Sequence, residues 1–289
     1  MPTIAIGTAN FGMQYGVANT DGRLSRKSVE EILALAKSRG VTCLDTANAY
    51  GESQKVLGEI DVRDWRIISK ISSVPPGCID VPAYVRMQIS LILDSLKVSE
   101  FDTVLVHNAR DLIGDFGEQV FEEIQKAQSK GQVRKIGVSI YDPNDLELIT
   151  NRFNLDLVQA PINVFDNRLQ DSGWLDRLVL TGTEVHARSV FLQGVLLSTD
   201  VQNNSFFKQW KSTFEKWNSF CEATRNAPLM NCIKHVNSYD GVSHAVVGID
   251  SAQNLSEVFD AFSQPPQRIS GNDFCADSQL INPATWSIA

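Results

Sequence analysis

The chain has 289 residues, of which 43% are hydrophobic and 21% are charged, and its formal net charge at pH 7 is −8. This composition is typical of a globular protein with a sizeable core, and the acidic balance argues against a nucleic-acid surface, which would need a basic stripe. No apolar run approaches the roughly 20 residues that a membrane span requires, so no membrane partner is predicted.

Short apolar runs alternate along the chain with stretches in which apolar residues recur at helical spacing. Ser25 can cap a helix that stops before Gly40, and Asp142 followed by Pro143 predicts another helix start. The predicted strands span residues 3–7, 41–45, 65–70, 103–107, 133–138, 156–160, 183–187 and 243–248. The predicted helices span residues 25–39, 82–97, 115–130, 142–151, 173–180, 205–225, 228–236 and 251–262. A further, shorter helix is predicted around residues 56–60. Residues 13–23 are predicted to form a loop, and residues from 264 to 286 an irregular C-terminal tail.

Eight strand–helix units predict parallel strands with helical crossovers, and eight such units close a (β/α)8 TIM barrel of the α/β class. An open doubly wound sheet is the alternative, but no Gly-x-Gly-x-x-Gly follows the first strand, as a dinucleotide-binding sheet would need. No break in composition marks a second domain, so residues 1–289 are predicted to form a single domain.

The five cysteines are odd in number and scattered, with no Cys-x-x-Cys pair: Cys43, Cys78, Cys221, Cys232 and Cys275. The first residues also lack the basic start and long apolar stretch of a signal peptide, so reduced thiols and a cytoplasmic location are predicted. Three histidines, at positions 186, 235 and 244, show no metal-ligand spacing, and no metal site is predicted.

Three successive predicted strands end in chemically useful side chains, namely Asp45, Lys70 and His107, and Tyr50 follows the first of these strands. In an α/β barrel these strand ends face one common mouth, where active sites are found. A tyrosine has a pKa near 10, and a neighbouring ammonium that is held by a carboxylate lowers it. A histidine at the same mouth can donate a hydrogen bond to a substrate oxygen.

Together, these four groups predict proton transfer to a carbonyl that is being reduced, or from an alcohol that is being oxidised. No side chain supplies the hydride, so a nicotinamide cofactor is predicted. The alternative to a catalytic role is that Asp45 and Lys70 form a purely structural ion pair.

Asp45, Tyr50, Lys70 and His107, at these spacings, resemble the catalytic tetrad of the aldo-keto reductases. The resemblance covers nearly the whole chain. The similar blocks are residues 44–47 (Leu-Asp-Thr-Ala), 50–53 (Tyr-Gly-Glu-Ser), 133–139 (Val-Arg-Lys-Ile-Gly-Val-Ser), 159–163 (Gln-Ala-Pro-Ile-Asn) with Arg168, and 187–196 (Ala-Arg-Ser-Val-Phe-Leu-Gln-Gly-Val-Leu).

The resemblance implies that Tyr50 is the general acid/base, that Lys70 lowers its pKa, that Asp45 holds Lys70, and that His107 orients the carbonyl. It also implies a set of contacts with NADP(H) or NAD(H). These are Ser139 and Gln159 at the nicotinamide carboxamide, Ser189, Leu192 and Gly194 at the pyrophosphate, Gly248 and the following Asp250 at the adenosine, and Arg188 at the cofactor or the substrate.

One departure from the family pattern bears on the choice of cofactor. Most members carry Lys or Arg after the eighth strand, where they hold the 2′-phosphate of NADP, whereas residues 247–257 here contain no basic residue and include Asp250. An acid at this end can accept from a ribose 2′-hydroxyl, so reduced selectivity for NADP is predicted. Arg225 and Lys234 are alternative sources of the missing charge, beside Arg188.

The substrate is predicted to be a small carbonyl compound or alcohol. The opening segment of the chain resembles a bacterial subgroup of the aldo-keto reductases that is associated with sugars, so a sugar-like substrate is predicted. Its pocket is predicted from loop residues: Phe11, Met13, Tyr15, residues 75–78 and 108–111, Phe165 and Trp286.

The alternative function is a cofactor-sensing regulatory protein on the same barrel, with little or no turnover. The oligomeric state is not predicted.

Overall fold

A computed structural model of the protein describes residues 1–19, 22–269, 274 and 277–287. Eight parallel strands form a closed barrel in chain order, and β1 pairs with β8 to complete the ring. This confirms the predicted (β/α)8 barrel and excludes the open sheet. The strands are β1 (Thr3–Gly7), β2 (Cys43–Asp45), β3 (Arg66–Ile71), β4 (Phe101–Val106), β5 (Val133–Ser139), β6 (Leu157–Pro161), β7 (Glu184–Arg188) and β8 (His244–Gly248).

Helices surround the barrel and cover its outer face. They are α1 (Ala9–Gly12), α2 (Arg26–Ser38), α3 (Ser53–Ile60), α4 (Val81–Leu96), α5 (Arg110–Ile113), α6 (Gly117–Ser129), α7 (Asp145–Thr150), α8 (Arg168–Asp171), α9 (Trp174–Leu180), α10 (Thr199–Gln202), α11 (Lys211–Thr224), α12 (Pro228–Val236) and α13 (Ala252–Phe262). None of these helices, nor any other helix in the described ranges, is long and apolar enough to cross a membrane.

Most predicted helices agree with the structure to within two residues at each end, but two begin three or more residues later than predicted. The helix predicted from 142 begins at Asp145, because Asp142 first caps a turn: its carboxylate accepts from the amide of Asn144 and its carbonyl from that of Asp145. The helix predicted over 205–225 begins instead with a 3₁₀ turn, Phe207–Trp210. Three residues per turn place the buried Phe207 and Trp210 on the same face.

The predicted C-terminal tail is only partly irregular. A helical turn spans Ser278–Ile281, and a 3₁₀ turn spans Pro283–Thr285. The predictions for residues 270–273, 275 and 276 of the tail, Cys275 among them, and for residues 20 and 21 of the first loop lie outside the described residues. The other four cysteines are free.

Alternate strand residues point into the barrel and divide its interior into layers. The middle layer is apolar and fully buried, and consists of Ala5, Cys43, Ile68, Leu105 and Leu157. Two residues further along β2, β3 and β4, the inward positions are Asp45, Lys70 and His107. The apolar layer therefore closes the barrel beneath these polar groups, and they face only its carboxyl-terminal mouth.

Candidate active site

Tyr50 lies in the turn that follows β2, and this turn packs directly on α1. A Cβ atom at Gly12 would lie 2.0 Å from the carbonyl oxygen of Tyr50, so only glycine allows this approach. Gly51, which follows Tyr50 in the chain, has φ +56°. A Cβ atom at Gly51 would lie 2.6 Å from the carbonyl oxygen of Gly12. Two glycines therefore fix where the phenol enters the mouth.

Lys70 is the centre of the polar group at the mouth. Its Nζ donates to Asp45 Oδ1 at 2.6 Å, to the carbonyl oxygen of Thr46 at 3.2 Å and to Tyr50 Oη at 3.4 Å. Gln159 Nε2 donates to the other carboxylate oxygen of Asp45 at 2.7 Å. Lys70, Asp45 and Gln159 are at most 2% exposed, so the ion pair is shielded from bulk water and hydrogen-bonded on both sides.

The Tyr50 phenol is enclosed by other rings, since His107 meets it edge-on at 6.0 Å and Tyr15 lies at 6.3 Å between centroids. Burial raises the pKa of Tyr50 above its ordinary value, and the negative charge of Asp45 raises it further. The net shift is upward because burial and the charge of Asp45 outweigh the lowering effect of Arg188, and the separate lowering expected from Lys70 stays a prediction. Tyr50 is a protonated phenol at neutral pH.

The imidazole of His107 is held in its neutral form. Burial lowers its pKa from 6.5 to about 3, and the positive charges of Lys70 and Arg188 contribute. A neutral imidazole can donate one hydrogen bond without carrying charge into the mouth.

The depressed pKa of His107 predicts how stability depends on pH. Between pH 6.5 and about pH 3 the unfolded chain binds a proton at His107 that the folded chain excludes, so the free energy of unfolding falls as the pH falls. We expect His107→Asn to flatten this fall by up to about 1.4 kcal/mol per pH unit. Urea unfolding of both proteins at several values between pH 4 and pH 7 measures the slopes, and equal slopes would contradict the assignment.

A cavity of about 380 Å³ opens at the mouth and extends from the tetrad to the end of β8. Of the residues predicted to hold the cofactor, all but one line it: Ser139, Gln159, Arg188, Ser189, Gly194, Gly248 and Asp250. The exception is Leu192, which is fully buried and lies outside the lining. Neither Arg225 nor Lys234 lines the cavity.

The loop after β7 has an unusual backbone and is covered by the loop after β1. Positive φ angles occur at Ser189, Leu192, Gln193 and Gly194. Gln193 accepts a hydrogen bond from the amide of Val17 at 3.1 Å, and a Cβ at Gly194 would lie 2.8 Å from that of Ala18. The two loops therefore close one side of the cavity. In the sequence, Gly194 was the residue that indicated a close approach of the two loops.

Two further polar contacts were not predicted. Asn10, in the loop after β1, donates from Nδ2 to the carboxylate of Asp250, while its own Oδ1 is buried and has no partner in the part of the chain that the structure describes. Tyr141 lies under the guanidinium of Arg188, which is 3.9 Å from the ring centroid. Both contacts join segments far apart in sequence, so no local pattern could have predicted them.

The predicted substrate-side residues are only partly at the mouth. Met13 and Tyr15 line the cavity, whereas residues 75–78 and 108–111 do not. Phe11 and Phe165 are buried in the core instead. Trp286 packs on Phe207 at 5.0 Å, and the tail reaches the cavity through Pro283 and Ala284.

A second polar cluster lies at the opposite end of the barrel. Glu184, His186 and His244 place possible metal ligands within 4.8 Å of one another, which their sequence spacing did not indicate. However, Arg66 binds the Glu184 carboxylate through two nitrogens at 2.6 and 2.7 Å, and Lys135 binds it at 3.0 Å. Because these cations occupy the carboxylate, the cluster is better explained as a salt-bridge network.

The sequence and the fold were compared with those of known proteins. A model of the "Aldo/keto reductase family" matches residues 3–269. Aldo-keto reductase YhdN of Bacillus subtilis (strain 168) is 24% identical over 182 residues, which are 58% of this chain and 52% of that protein. The match therefore spans about half the length of this curated relative.

Two similar solved structures support the fold alone, because their sequence identities are low. Aldo-keto reductase AKR11C1 from Bacillus halodurans, in its holo form, has a TM-score of 0.73 and 16% identity, and the match covers 98% of this chain and 93% of that one. The glycerol dehydrogenase AKR11B4 from Gluconobacter oxydans has a TM-score of 0.69 and 18% identity, with 91% and 86% covered.

Proposed function

Since the chain belongs to the aldo/keto reductase family, we propose that it is an NAD(P)-dependent oxidoreductase that interconverts a small carbonyl compound and its alcohol. The observation that carries this proposal is the buried Lys70, whose Nζ lies 2.6 Å from Asp45 Oδ1 and 3.4 Å from Tyr50 Oη. A buried ammonium between a carboxylate and a phenol suits a proton transfer at the phenol oxygen.

The four groups have distinct roles in this proposal. Tyr50, which is protonated at neutral pH, donates the proton from Oη to the carbonyl oxygen and recovers it in the reverse reaction. Lys70 stabilises the negative charge that develops on Oη, and Asp45 holds the ammonium in place. Neutral His107 donates a hydrogen bond to the same carbonyl oxygen and orients it.

A nicotinamide cofactor, when bound, supplies the hydride, and the lining of the cavity fits such a group. Asn10 and Arg188 line the cavity, and Asn10 Oδ1 and Arg188 Nε are buried with no hydrogen-bond partner among the described residues. At Gly248 a Cβ would meet nothing within 4 Å, which leaves open space at the end of β8. Ser139 and Gln159 would hold the carboxamide, the loop with Ser189 and Gly194 the pyrophosphate, and Gly248 and Asp250 the adenosine end.

Parallel fluorescence titrations with NADH and NADPH test the proposed cofactor. We expect saturable binding of at least one of them, and binding of neither at millimolar concentration would contradict the proposal. The substrate class remains the predicted small carbonyl or alcohol, and its sugar-like character remains a prediction from resemblance.

The position of Asp250 predicts the balance between the two cofactors. The cations that line the cavity in the described part of the chain, Lys70 and Arg188, lie at the ends of β3 and β7, whereas Asp250 follows β8. A 2′-phosphate beside this carboxylate is repelled by roughly 1 kcal/mol at 4 Å in water, which is about fivefold in affinity. We therefore expect Asp250→Asn to raise the affinity for NADPH relative to NADH by about this factor.

Asp260→Asn is the matched control, since this exposed carboxylate lies on α13 but outside the cavity lining. An equal change in both variants would reflect net charge alone. An unchanged ratio of the two dissociation constants in Asp250→Asn would show that Asp250 does not face the 2′ position.

A further inference from the structure

Arg188 is held rigidly across one side of the mouth. Its guanidinium donates to the carbonyl oxygen of Ile140 at 2.8 Å and to Ser189 Oγ at 3.1 Å, and it stacks on the ring of Tyr141. Because Ile140 and Tyr141 follow β5, the side chain extends from β7 across β6. It therefore points toward the end of β5, and away from β8.

Of the two cations that line the cavity in the described part of the chain, Lys70 is paired with a carboxylate and Arg188 is not. Lys70 is paired with Asp45, and Asp250 accepts from Asn10. Arg188 forms no ion pair with any carboxylate in the described ranges, and its hydrogen bonds go to neutral oxygens. Other partly buried arginines in the chain are paired, for example Arg66 with Glu184 and Arg168 with Asp166.

The guanidinium also has unused hydrogen-bonding capacity. Its Nε is buried and has no hydrogen-bond partner within the described ranges, and the side chain lines the cavity. Its positive charge reaches the tetrad, where it helps to lower the pKa of His107. A planar guanidinium that is fixed in place at the cavity, with no carboxylate partner in the described ranges, is suited to binding an oxyanion.

We propose, on the basis of the proposed function, that Arg188 binds an anionic group of the substrate, so that the preferred substrates are small carbonyl compounds that carry a carboxylate. The same oxyanion chemistry could come from a cofactor phosphate. The position of the guanidinium favours the substrate, because its positive charge acts to lower the pKa of both Tyr50 and His107, so it lies near the groups that contact the carbonyl. The backbone of the loop after β7 remains for the phosphates.

Two aldehydes of equal chain length test the proposal: succinic semialdehyde, which carries a carboxylate, and butanal, which does not. We expect kcat/KM of the unmodified protein to favour succinic semialdehyde at least tenfold. Arg188→Gln should reduce this ratio by at least tenfold, mainly through KM for the anionic aldehyde. Arg188→Lys, which keeps the charge but loses the planar fork, should restore part of the ratio.

Arg152→Gln is a matched control. Arg152 also donates to backbone carbonyls, of Leu112 and Ile113, and its guanidinium lies 4.9 Å from the ring centroid of Phe153, but it is outside the cavity lining. This variant should keep the preference for succinic semialdehyde. A ratio that is unchanged in Arg188→Gln would overturn the proposal. An equal loss for both aldehydes together with weaker NAD(P)H binding would also overturn it, and would assign Arg188 to the cofactor.

A binding measurement keeps this test separate from that of the proposed function. Calorimetric titration of the Tyr50→Phe protein with each aldehyde, in the presence of cofactor, needs no turnover. Tighter binding of succinic semialdehyde that is lost in the Tyr50→Phe/Arg188→Gln double variant supports the anion site even if neither aldehyde is reduced. Equal binding of both aldehydes contradicts it, whatever the activity.

Discussion

Replacing Tyr50 by Phe is expected to lower kcat by about 10²–10⁴-fold, the usual contribution of a general acid or base. The substitution removes only Oη, the atom that lies 3.4 Å from Lys70 Nζ and that we propose donates the proton. The ring remains, so its contacts with His107 and Tyr15 are preserved. Steady-state kinetics under saturating cofactor give kcat, and a fluorescence titration gives the cofactor dissociation constant, which should change little.

Tyr84→Phe is the control for this substitution. The hydroxyl of Tyr84 also makes one hydrogen bond, to the carbonyl oxygen of Ser73 at 3.0 Å, but it lies outside the cavity lining. Its kcat should match that of the unmodified protein. A Tyr50→Phe protein with full turnover would contradict the proposed role. Absence of turnover in both the unmodified and the Tyr50→Phe protein, with cofactor binding intact, would favour the cofactor-sensing alternative.

Replacing Lys70 by Met is expected to lower the free energy of unfolding by about 3–5 kcal/mol and to abolish activity. The change leaves the carboxylate of Asp45, which is 2% exposed, with Gln159 as its one remaining side-chain partner among the described residues. An unpaired buried charge of this kind is far more costly than the removal of both partners. Denaturant unfolding of the variant and of the unmodified protein measures the difference.

The Asp45→Asn/Lys70→Met double variant separates stability from catalysis. Because it removes both charges together, most of the lost stability should return. Activity should not return, because no ammonium is left beside Tyr50 Oη. A double variant that regains both would show that Asp45 and Lys70 form a structural ion pair alone. A Lys70→Met protein as stable as the unmodified one would contradict the observed pairing.

The barrel and the convergence of the tetrad could be predicted because both follow from local sequence patterns. Each strand is a short apolar run, and Asp45, Lys70 and His107 stand at the ends of consecutive runs, so closure of the barrel necessarily brings them to one mouth. Helix ends were less predictable where a side chain competes with the helix, as Asp142 does for the amide of Asn144.

The remainder of the site depends on contacts between distant segments. The bond from Asn10 to Asp250 exists only because β1 pairs with β8. Arg188 reaches Tyr141 because the strands β5, β6 and β7 are neighbours in the ring. Phe165 looked like a pocket residue because it follows β6, but it stacks with Phe274 in the core at 6.0 Å. Sequence patterns predict which face a strand residue takes, whereas the direction of a loop side chain depends on the whole assembly.

Hydride transfer from the cofactor to the carbonyl is tested most directly by following an isotope from the cofactor into the product. The purified protein is incubated with NADH or NADPH deuterated at C4 of the nicotinamide and with succinic semialdehyde or butanal, and the alcohol is analysed by mass spectrometry. We predict one deuterium on the former carbonyl carbon, together with loss of reduced cofactor at the same rate, and neither in Tyr50→Phe on the same timescale. Two results would contradict the proposed function. One is an alcohol that contains no deuterium, whichever face of the nicotinamide carries the label. The other is a reduced cofactor that binds but is never consumed with any small carbonyl compound.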